Sequence, residues 1–584
     1  MKAANLYERK FGQIRRVCFA SCREFGYFAD AMKNLLRLSL LLLLFGGKAF
    51  AAEVTFKQSA ASVAAYDFVE VTMQVKNLTA ANPFTDVIVT GEFRREGGQP
   101  VKVDGFCDST DGSLFRIRFM PDRVGRYSYV IQFWANGAPR SFAGNFEATD
   151  GKRRGITRVD KAFPWHFIWE GTGEHYFWNG TTTYSLMGWD EATIRQSIDR
   201  LHKLKVNRLR VAINSARVKD GMAWFEPVFP TKNFSFLLNP WLAARPDSVD
   251  NPGFDITRFN IEYWQKYERL LAYARERDVI ISAIFYVDGA KPGVDPFGKT
   301  GAGGTDELRY YRYAAARLAA YSNLMWDVTN EYRLFRDDAW AEFTGAKLRE
   351  FDPYDHLTSI HGHGDFKFYK SAWADFAMYQ SWDEWGGNAF MLKNRRLQER
   401  AGRAMPQVNE EYGYEDHYPV GWGGNRKAPM RSADNRRRLA WEMYMAGCYQ
   451  TTGERADTGT GAPPDTGGGW INGRGDDSMV MLKGYAHIVD FFSQTEWWRM
   501  TPNNDLVSGS NLCLAEPGKQ YVIYLPGGGA PTIQLEAGKY RAQWFNPMTG
   551  QFSDAGIAEA PEWKSSPPPI NPYAQDWVLW LKRN

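Results

Sequence analysis

Two segments carry acidic residues at the ends of short apolar runs, and Glu331 and Glu411 stand 80 positions apart. The first is Trp326-Asp327-Val328-Thr329-Asn330-Glu331. The second is Pro406-Gln407-Val408-Asn409-Glu410-Glu411-Tyr412-Gly413-Tyr414-Glu415. Both runs have strand length. A carboxylate at the C-terminal end of a parallel barrel strand lies on the active face of a (β/α)8 barrel. Two carboxylates facing one cleft are the minimum equipment for hydrolysing a glycosidic bond.

Glu331 has the features of an acid catalyst. It follows Asn330, whose amide can hold a sugar hydroxyl while the carboxyl addresses the glycosidic oxygen. The alternative is a capping pair, because Asn is a good N-cap. Glu411 has the features of a nucleophile, which must be ionised and face the anomeric carbon. Strand alternation predicts that Glu410 and Glu411 point to opposite sides, so that only one faces the barrel axis; Glu411 is the preferred one. Tyr412 or Tyr414 can hydrogen-bond its carboxylate, and Gly413 permits a tight turn. Glu410 and Glu415 are otherwise loop or supporting carboxylates.

Further cleft candidates lie at other strand ends. Arg210 can orient the nucleophile or form a structural ion pair. His361 and His363 can bind sugar hydroxyls. A metal site on His361-Gly362-His363 with Asp365 lacks a third strong ligand, so no metal and no cofactor is expected. Tyr379, Gln380 and Trp382 offer either a sugar platform or core packing. Glu454 follows the eighth predicted strand. Trp470, in Gly467-Gly468-Gly469-Trp470, is a candidate for stacking on sugar; that loop lacks the Lys-Ser/Thr ending of a phosphate cradle.

These residues need a scaffold. Strand-like runs centre on Phe177–Leu186, Arg208–Ile213, Val279–Tyr286, Leu324–Thr329, Leu357–His361, Phe376–Gln380, Gln407–Glu411 and Tyr444–Thr451. Amphipathic helices are predicted between them, among them Ile261–Arg277, Asp306–Ala320, Asp338–Glu350 and Asn435–Met445. Alternation of this kind predicts a parallel (β/α)8 TIM barrel over 155–500. The long connection Asn214–Arg258 is expected to shape a cleft. Residues 54–150 alternate with period two and are punctuated by Gly, Pro, Asn and Asp, which predicts a β-sandwich. Residues 505–584 return to strands and predict a second, smaller one. The fold class is therefore multidomain, a central barrel flanked by two sandwiches.

The chain has 584 residues, too many for one core. Residues 1–51 read as a leader. Lys33 and Arg37 precede the apolar run Leu38–Phe45, and Ala49-Phe50-Ala51 is a cleavage-type sequence, predicting a mature start at Ala52. Residues 1–31 fit a signal peptide poorly, so translation from Met32 or an unusually long n-region are the two readings. The apolar run is too short for a stable membrane span. Removing the leader takes the formal charge from +4 to −2. That balance argues against a nucleic-acid partner. Cys107, Cys448 and Cys513 remain, odd in number and widely spaced, and form no disulfide framework. A periplasmic or extracellular location follows from the leader, and oligomeric state is left open. Of 584 residues 15% are aromatic, including 22 Trp, which suits both large cores and sugar stacking.

The strand-end motifs resemble those of the fourth and seventh strands of retaining clan-A glycoside hydrolases. The chain from about residue 54 to 584 is similar to a bacterial glycoside-hydrolase-like family. That family has an N-terminal sandwich of unknown function, a clan-A-like barrel and a C-terminal collagen-binding-type module. Val89-Thr90-Gly91-Glu92-Phe93, Gly105-Phe106-Cys107-Asp108 and Arg118-Phe119-Met120-Pro121-Asp122 carry the N-terminal similarity. Trp178-Asn179-Gly180-Thr181-Thr182-Thr183-Tyr184 and Gly469-Trp470-Ile471-Asn472-Gly473-Arg474-Gly475-Asp476-Asp477 carry that of the barrel, and Cys513-Leu514-Ala515-Glu516-Pro517-Gly518-Lys519 that of the C-terminal module. The resemblance implies Glu331 as acid/base and Glu411 as nucleophile of a retaining hydrolase with a carbohydrate substrate. Two other readings stand beside it. A polysaccharide lyase would use Tyr379, His361 or His363 as base and Arg210 to neutralise a uronate. A non-catalytic carbohydrate-binding protein would lack one of the two carboxylates.

Overall fold

The computed structural model describes residues 52–135, 139–214, 234–248, 251–291, 293–362, 364–384, 386–415, 431–453 and 480–583. Its centre is eight parallel strands. They are β1 Asn179–Thr182, β2 Arg208–Ala212, β3 Ile280–Ile284, β4 Leu324–Asp327, β5 Thr358–Ser359, β6 Ala377–Gln380, β7 Gln407–Glu411 and β8 Tyr449–Thr452. Pairing runs β5-β4-β3-β2-β1-β8-β7-β6, so β1 pairs with both β2 and the last strand, β8. The seam between β5 and β6 is held by single bonds rather than a ladder. Asp375 N donates to Thr358 O at 2.9 Å, Thr358 N to Asp375 Oδ2 at 2.8 Å, and Ser359 Oγ to Phe376 O at 2.6 Å.

Among the described residues seven helices of three turns or more pack around this sheet: α1 Glu191–Lys203, α2 Ile261–Arg275, α3 Thr305–Leu318, α4 Asp338–Phe351, α5 Gly387–Ala401, α6 Ala433–Met445 and α7 Met481–Phe492. Asp190, Asp337 and Ser432 start α1, α4 and α6 by accepting from Thr193 N, Trp340 N and Asn435 N. Each satisfies one backbone donor that a helix start leaves open. Two predicted strands shift. The first ends at Thr182, and the eighth starts at Tyr449, because Tyr444 belongs to the last turn of α6. Buried Met443, Tyr444 and Met445 make an apolar run that reads like a strand but lies on the packed face of a helix.

The barrel interior is polar at its middle level. In β2, Leu209 and Val211 alternate with Arg208 and Arg210. Arg208 donates to Glu410 (2.6 Å), Ser282 Oγ (2.8 Å) and Thr451 Oγ1 (3.1 Å), and its guanidinium lies 4.3 Å from the Trp178 ring centroid. A barrel core more commonly stacks branched aliphatic layers. Here an arginine, a glutamate and a tryptophan fill the same space.

The N-terminal region is two sheets, one of four antiparallel strands and one of five in which only the edge strand Ser62–Ala64 runs parallel to its neighbour. They enclose a core that includes Val71, Phe93, Phe115, Ile117, Ile131 and Phe133. Its junction with the barrel joins ring contacts, such as Phe84 with Tyr313, to buried ion pairs. Arg118 of the sandwich meets Glu268 of α2 at 2.8 Å, and Arg317 of α3 bridges Glu268 (2.6 Å) and Asp108 (2.8 Å). The C-terminal region is a six-stranded sheet with a two-stranded one beside it. Its junction is aromatic: Trp441 stacks on Tyr524 at 5.6 Å, and Phe491 meets Phe545 at 5.0 Å. The connection 214–258 contributes an antiparallel pair, Trp241–Ala243 with Phe254–Phe259, whose Trp241 packs on Tyr310 of α3 at 4.7 Å. No helix among the described residues is long and apolar enough to cross a membrane.

Candidate active site

The chain continues from β4 through Val328 and Thr329 to Asn330 and Glu331. Asn330 N donates to Tyr286 O at the end of β3 (2.9 Å), and Tyr332 N to His361 O beyond β5 (3.1 Å). Glu331 lies between these two anchored peptides with φ 48° and ψ 48°. A left-handed glutamate is uncommon and costs free energy that the surroundings must offset. Gln380 Nε2, from β6, donates to Glu331 Oε1 at 3.1 Å.

Asn330 is the hub of the upper barrel. Its Oδ1 accepts from Arg210 Nη2 (2.9 Å) and lies 2.5 Å from His361 Nδ1 and 3.2 Å from the Tyr184 hydroxyl. A guanidinium can only donate, so the atom facing it is the oxygen, and Nδ2 takes part in none of these bonds. Arg210 also pairs with Asp327 at 3.0 Å and donates to the Tyr184 hydroxyl at 3.0 Å. Tyr184 OH lies 3.5 Å from Glu411 Oε2. Tyr414 adds a side-chain hydrogen bond to the same carboxyl.

Glu411 is 3% exposed. Burial, and then the negative charge of Glu331, raise its pKa to about 8, against the opposing pull of Arg210 and the Tyr414 hydroxyl. The charge of Glu331 therefore bears on the titration of Glu411, which belongs to the pair.

Glu410 corrects the alternation argument. Along the β6–β7 ladder Tyr379 pairs with Asn409 but Gln380 pairs with Glu411, so β7 carries one extra residue. Such a bulge breaks period-two alternation. Glu410 consequently faces the interior, bonded to Arg208 at 2.6 Å and 3.7 Å from Arg210 Nε. It serves the level below Glu411 rather than the opposite face of the sheet.

The other candidates divide. Arg210 and His361 are in the constellation through Asn330. Tyr414 is beside Glu411, whereas Tyr412 points its hydroxyl to Gln450 (2.9 Å), away from that carboxyl. Gly413, at φ 96°, separates the two; a Cβ there would come 2.6 Å from Arg431 and 2.7 Å from Arg436. Trp382 is half-buried and meets Tyr414 edge-on at 5.9 Å, with the Arg431 guanidinium 5.1 Å from its ring centroid. Tyr379 as a sugar platform is corrected. It is fully buried, and its hydroxyl bonds Tyr369 and Gln398 of α5, each at 3.2 Å, so it faces the helix layer, one step out of phase with Gln380. Glu415 accepts from Val480 N at 3.3 Å. His363, Glu454 and Trp470 lie outside the described residues. No group of three His, Cys, Asp or Glu among the described residues has metal-site geometry. Sequence reasoning missed Tyr184 and Asp327 as site partners. Their signal was positional: each stands near the C-terminal end of a predicted strand.

Eight parallel strands with two interacting carboxyls at their C-terminal ends define a (β/α)8 protein with a carboxylate-centred site. Residues 166–456 match the family model described as "Apiosidase-like, catalytic domain". Residues 62–134 match "Domain of unknown function (DUF5060)" and residues 502–582 "Putative collagen-binding domain of a collagenase". The chain belongs to the glycoside-hydrolase-like family that joins these three modules in this order. Its fold is similar to that of a "putative glycoside hydrolase" from Bacteroides vulgatus ATCC 8482, with a TM-score of 0.73 at 18% identity over 90% of this chain and 100% of that one. It is also similar to a glycoside hydrolase family 5 structure from the same organism, with a TM-score of 0.56 at 15% identity over 74% of this chain and 93% of that one. A search among curated proteins gives no match.

Proposed function

We propose that the protein is an exported, retaining glycoside hydrolase acting on a polysaccharide or its oligosaccharides, with Glu331 as acid/base and Glu411 as nucleophile. The observation that carries this reading is the interacting Glu331–Glu411 pair, set among Tyr184, Tyr414, Arg210 and Asn330. In the reactive state the proton must sit on Glu331 and Glu411 must be ionised, the form of Glu411 that Arg210 and the Tyr414 hydroxyl favour. Glu331 gives that proton to the departing oxygen as Glu411 attacks the anomeric carbon. Forming the glycosyl ester removes the charge on Glu411. The repulsion on Glu331 falls with it, its pKa drops, and the same carboxylate activates the incoming water. The Nδ2 of Asn330 is the donor for a substrate hydroxyl, and Trp382 is the nearby aromatic platform. Arg210 is committed to Asp327, Asn330 and Tyr184, which favours this reading over a lyase needing a cation for uronate. Export rests on the leader read in residues 1–51.

The family description makes apiose-containing glycosides the first substrates to screen, followed by a plant and bacterial polysaccharide panel. On a cleaved substrate, Glu411→Ala should lose activity on every leaving group, by about 10⁴-fold or more. Glu331→Ala should lose roughly 10²–10⁴-fold on the natural glycan but far less on aryl glycosides. Azide should then accelerate that variant and give a glycosyl azide of retained configuration. A carboxyl separation in a crystal structure in the inverting range of roughly 6.5–9.5 Å, instead of about 5–5.5 Å, would sink the double displacement.

A further inference from the structure

The left-handed conformation of Glu331 needs a cause outside Glu331 itself. Glu307, on α3 and fully buried, bonds residues that flank the turn carrying it. Its Oε1 accepts from the Tyr286 hydroxyl (3.1 Å) and the Tyr311 hydroxyl (2.9 Å). Its Oε2 accepts from Trp340 Nε1 of α4 (3.1 Å) and from Gly303 N. Arg336 Nη2 approaches Oε1 at 3.9 Å and pairs with Asp295 at 2.6 Å.

Three of these partners, Tyr286, Trp340 and Arg336, lead back to the segment that carries Glu331. Tyr286, whose hydroxyl Glu307 holds, presents its backbone oxygen to Asn330 N and to Thr329 Oγ1, both at 2.9 Å. Arg336 closes the turn after Glu331, its backbone N donating to Tyr332 O at 2.7 Å. Its guanidinium is 5.3 Å from the Trp340 ring centroid, and Asp295 in turn accepts from Phe297 N (3.1 Å) and Gly298 N (3.2 Å). Phe335, inside the same turn, packs on Tyr286 at 5.9 Å and on Trp340 at 6.1 Å. One carboxylate thus ties the loop after β3, the end of β3 and the loop after β4 into a single body.

We infer that Glu307 and Arg336 are positioning residues for Glu331, a buried ion cluster that holds the Asn330–Arg336 turn and so aims the Glu331 carboxyl. The inference rests on the proposed role of Glu331 as acid/base. Neither residue meets substrate. A strained residue persists only where its surroundings over-determine it, and this cluster, with the two backbone anchors on Asn330 and Tyr332, supplies that constraint. Misplacing a catalytic carboxyl by about 1 Å costs on the order of 10²-fold in rate.

The test is a double-mutant cycle. Glu307→Gln and Arg336→Lys are each made alone and in the Glu331→Ala background, and assayed on a poor-leaving-group glycoside and on its 2,4-dinitrophenyl analogue. Alone, Glu307→Gln should lower kcat on the poor substrate by about 10–100-fold, with KM little changed and the dinitrophenyl substrate nearly unaffected. In the Glu331→Ala background it should cost nothing further. Arg336→Lys should fall between wild type and Glu307→Gln. Equal losses in both backgrounds would assign the cluster to folding alone and overturn the inference. If Glu331→Ala itself keeps full activity, the function proposed above fails instead. Should Glu307→Gln not fold, Tyr286→Phe removes one bond of the same cluster and should show the same selectivity at smaller size. A crystal structure of whichever variant folds gives a reading that needs no substrate: Glu331 should leave positive φ, and finding it unmoved would overturn the inference.

Discussion

Glu268 and Glu411 are both buried glutamates, and their surroundings drive them in opposite directions. Burial raises each. At Glu268 two arginines, Arg118 and Arg317, overcome that penalty and bring the carboxyl down to about 2. At Glu411 the charge that acts most strongly is another carboxylate, Glu331, and the pKa rises to about 8. The first arrangement joins a sandwich to a barrel. The second leaves a charge cost in place that a reaction can relieve. Strained electrostatics mark chemistry and satisfied electrostatics mark architecture.

The largest expected effect breaks the satisfied side. Glu268→Ala removes the carboxylate that buried Arg118 and Arg317 share, leaving Arg118 to Glu70 and Arg317 to Asp108, and should destabilise the chain by about 3 kcal/mol. A group whose folded pKa is depressed contributes stability above its unfolded pKa, and that contribution is lost as pH falls. The gap between variant and wild type in urea melts should therefore be full at pH 7 and shrink as pH drops from the ordinary value of 4.5 towards 2. A gap that ignores pH would mean that packing, and not the ion cluster, holds this junction. Glu268→Gln should show the same trend at smaller size.

The strained side can be sharpened through Tyr414. Its hydroxyl donates to Glu411 and opposes the rise in pKa. Hydrogen bonds to charged groups are worth about 1.5–3 kcal/mol. Tyr414→Phe should push the Glu411 pKa higher, move the acid limb of kcat/KM to higher pH and lower the rate by roughly 10–100-fold. On the other side, Tyr313 accepts from Arg317 at 2.9 Å and donates to Cys107 O at 2.8 Å. Tyr313→Phe should cost stability of about 0.5–1.5 kcal/mol and leave the pH profile where it was. A shifted profile in Tyr313→Phe would erase the distinction between the two regions.

This contrast explains what the sequence could reveal. Trp326–Glu331 and Gln407–Glu411 each join a strand-length run to an acidic end, so Glu331, Glu411, Asn330 and Arg210 could be placed from pattern alone. What pattern could not carry was phase. The bulge at Glu410 arises from how β7 registers against β6, and a single strand holds no record of its partner. Tyr379 and Gln380 illustrate the same loss: adjacent aromatic and polar residues at a strand end were grouped, yet one faces α5 and the other Glu331. Tyr444 failed through composition, because a helix packed on one face can present an unbroken apolar run. The arginines were ambiguous until their partners were known. Arg210 joins the site, and Arg317, equally buried, joins the interface.

The smallest effect tests whether strain at Glu411 is held at the expense of folding. Its folded pKa is raised, so between the ordinary value of 4.5 and about 8 the native state binds a proton that the unfolded chain releases. Stability must then fall as pH climbs through that window. Glu411→Gln keeps the shape and removes the titration. It should abolish turnover while stabilising the barrel by about 0.5–2 kcal/mol, the usual size of a stability–activity trade-off. The sign fixes the pH dependence: the gain should be near zero at pH 4.5 and largest at pH 8, read as the variant's shift in the barrel's unfolding transition by calorimetry. Glu268→Gln runs the other way, a loss at pH 7 and 8 that fades in acid. Opposite signs from the same substitution would separate a working carboxylate from a structural one, without a substrate in hand. If Glu411→Gln destabilises the barrel at pH 8, then Arg210, Tyr184 and Tyr414 compensate the buried charge fully, and Glu411 belongs with Glu268 after all.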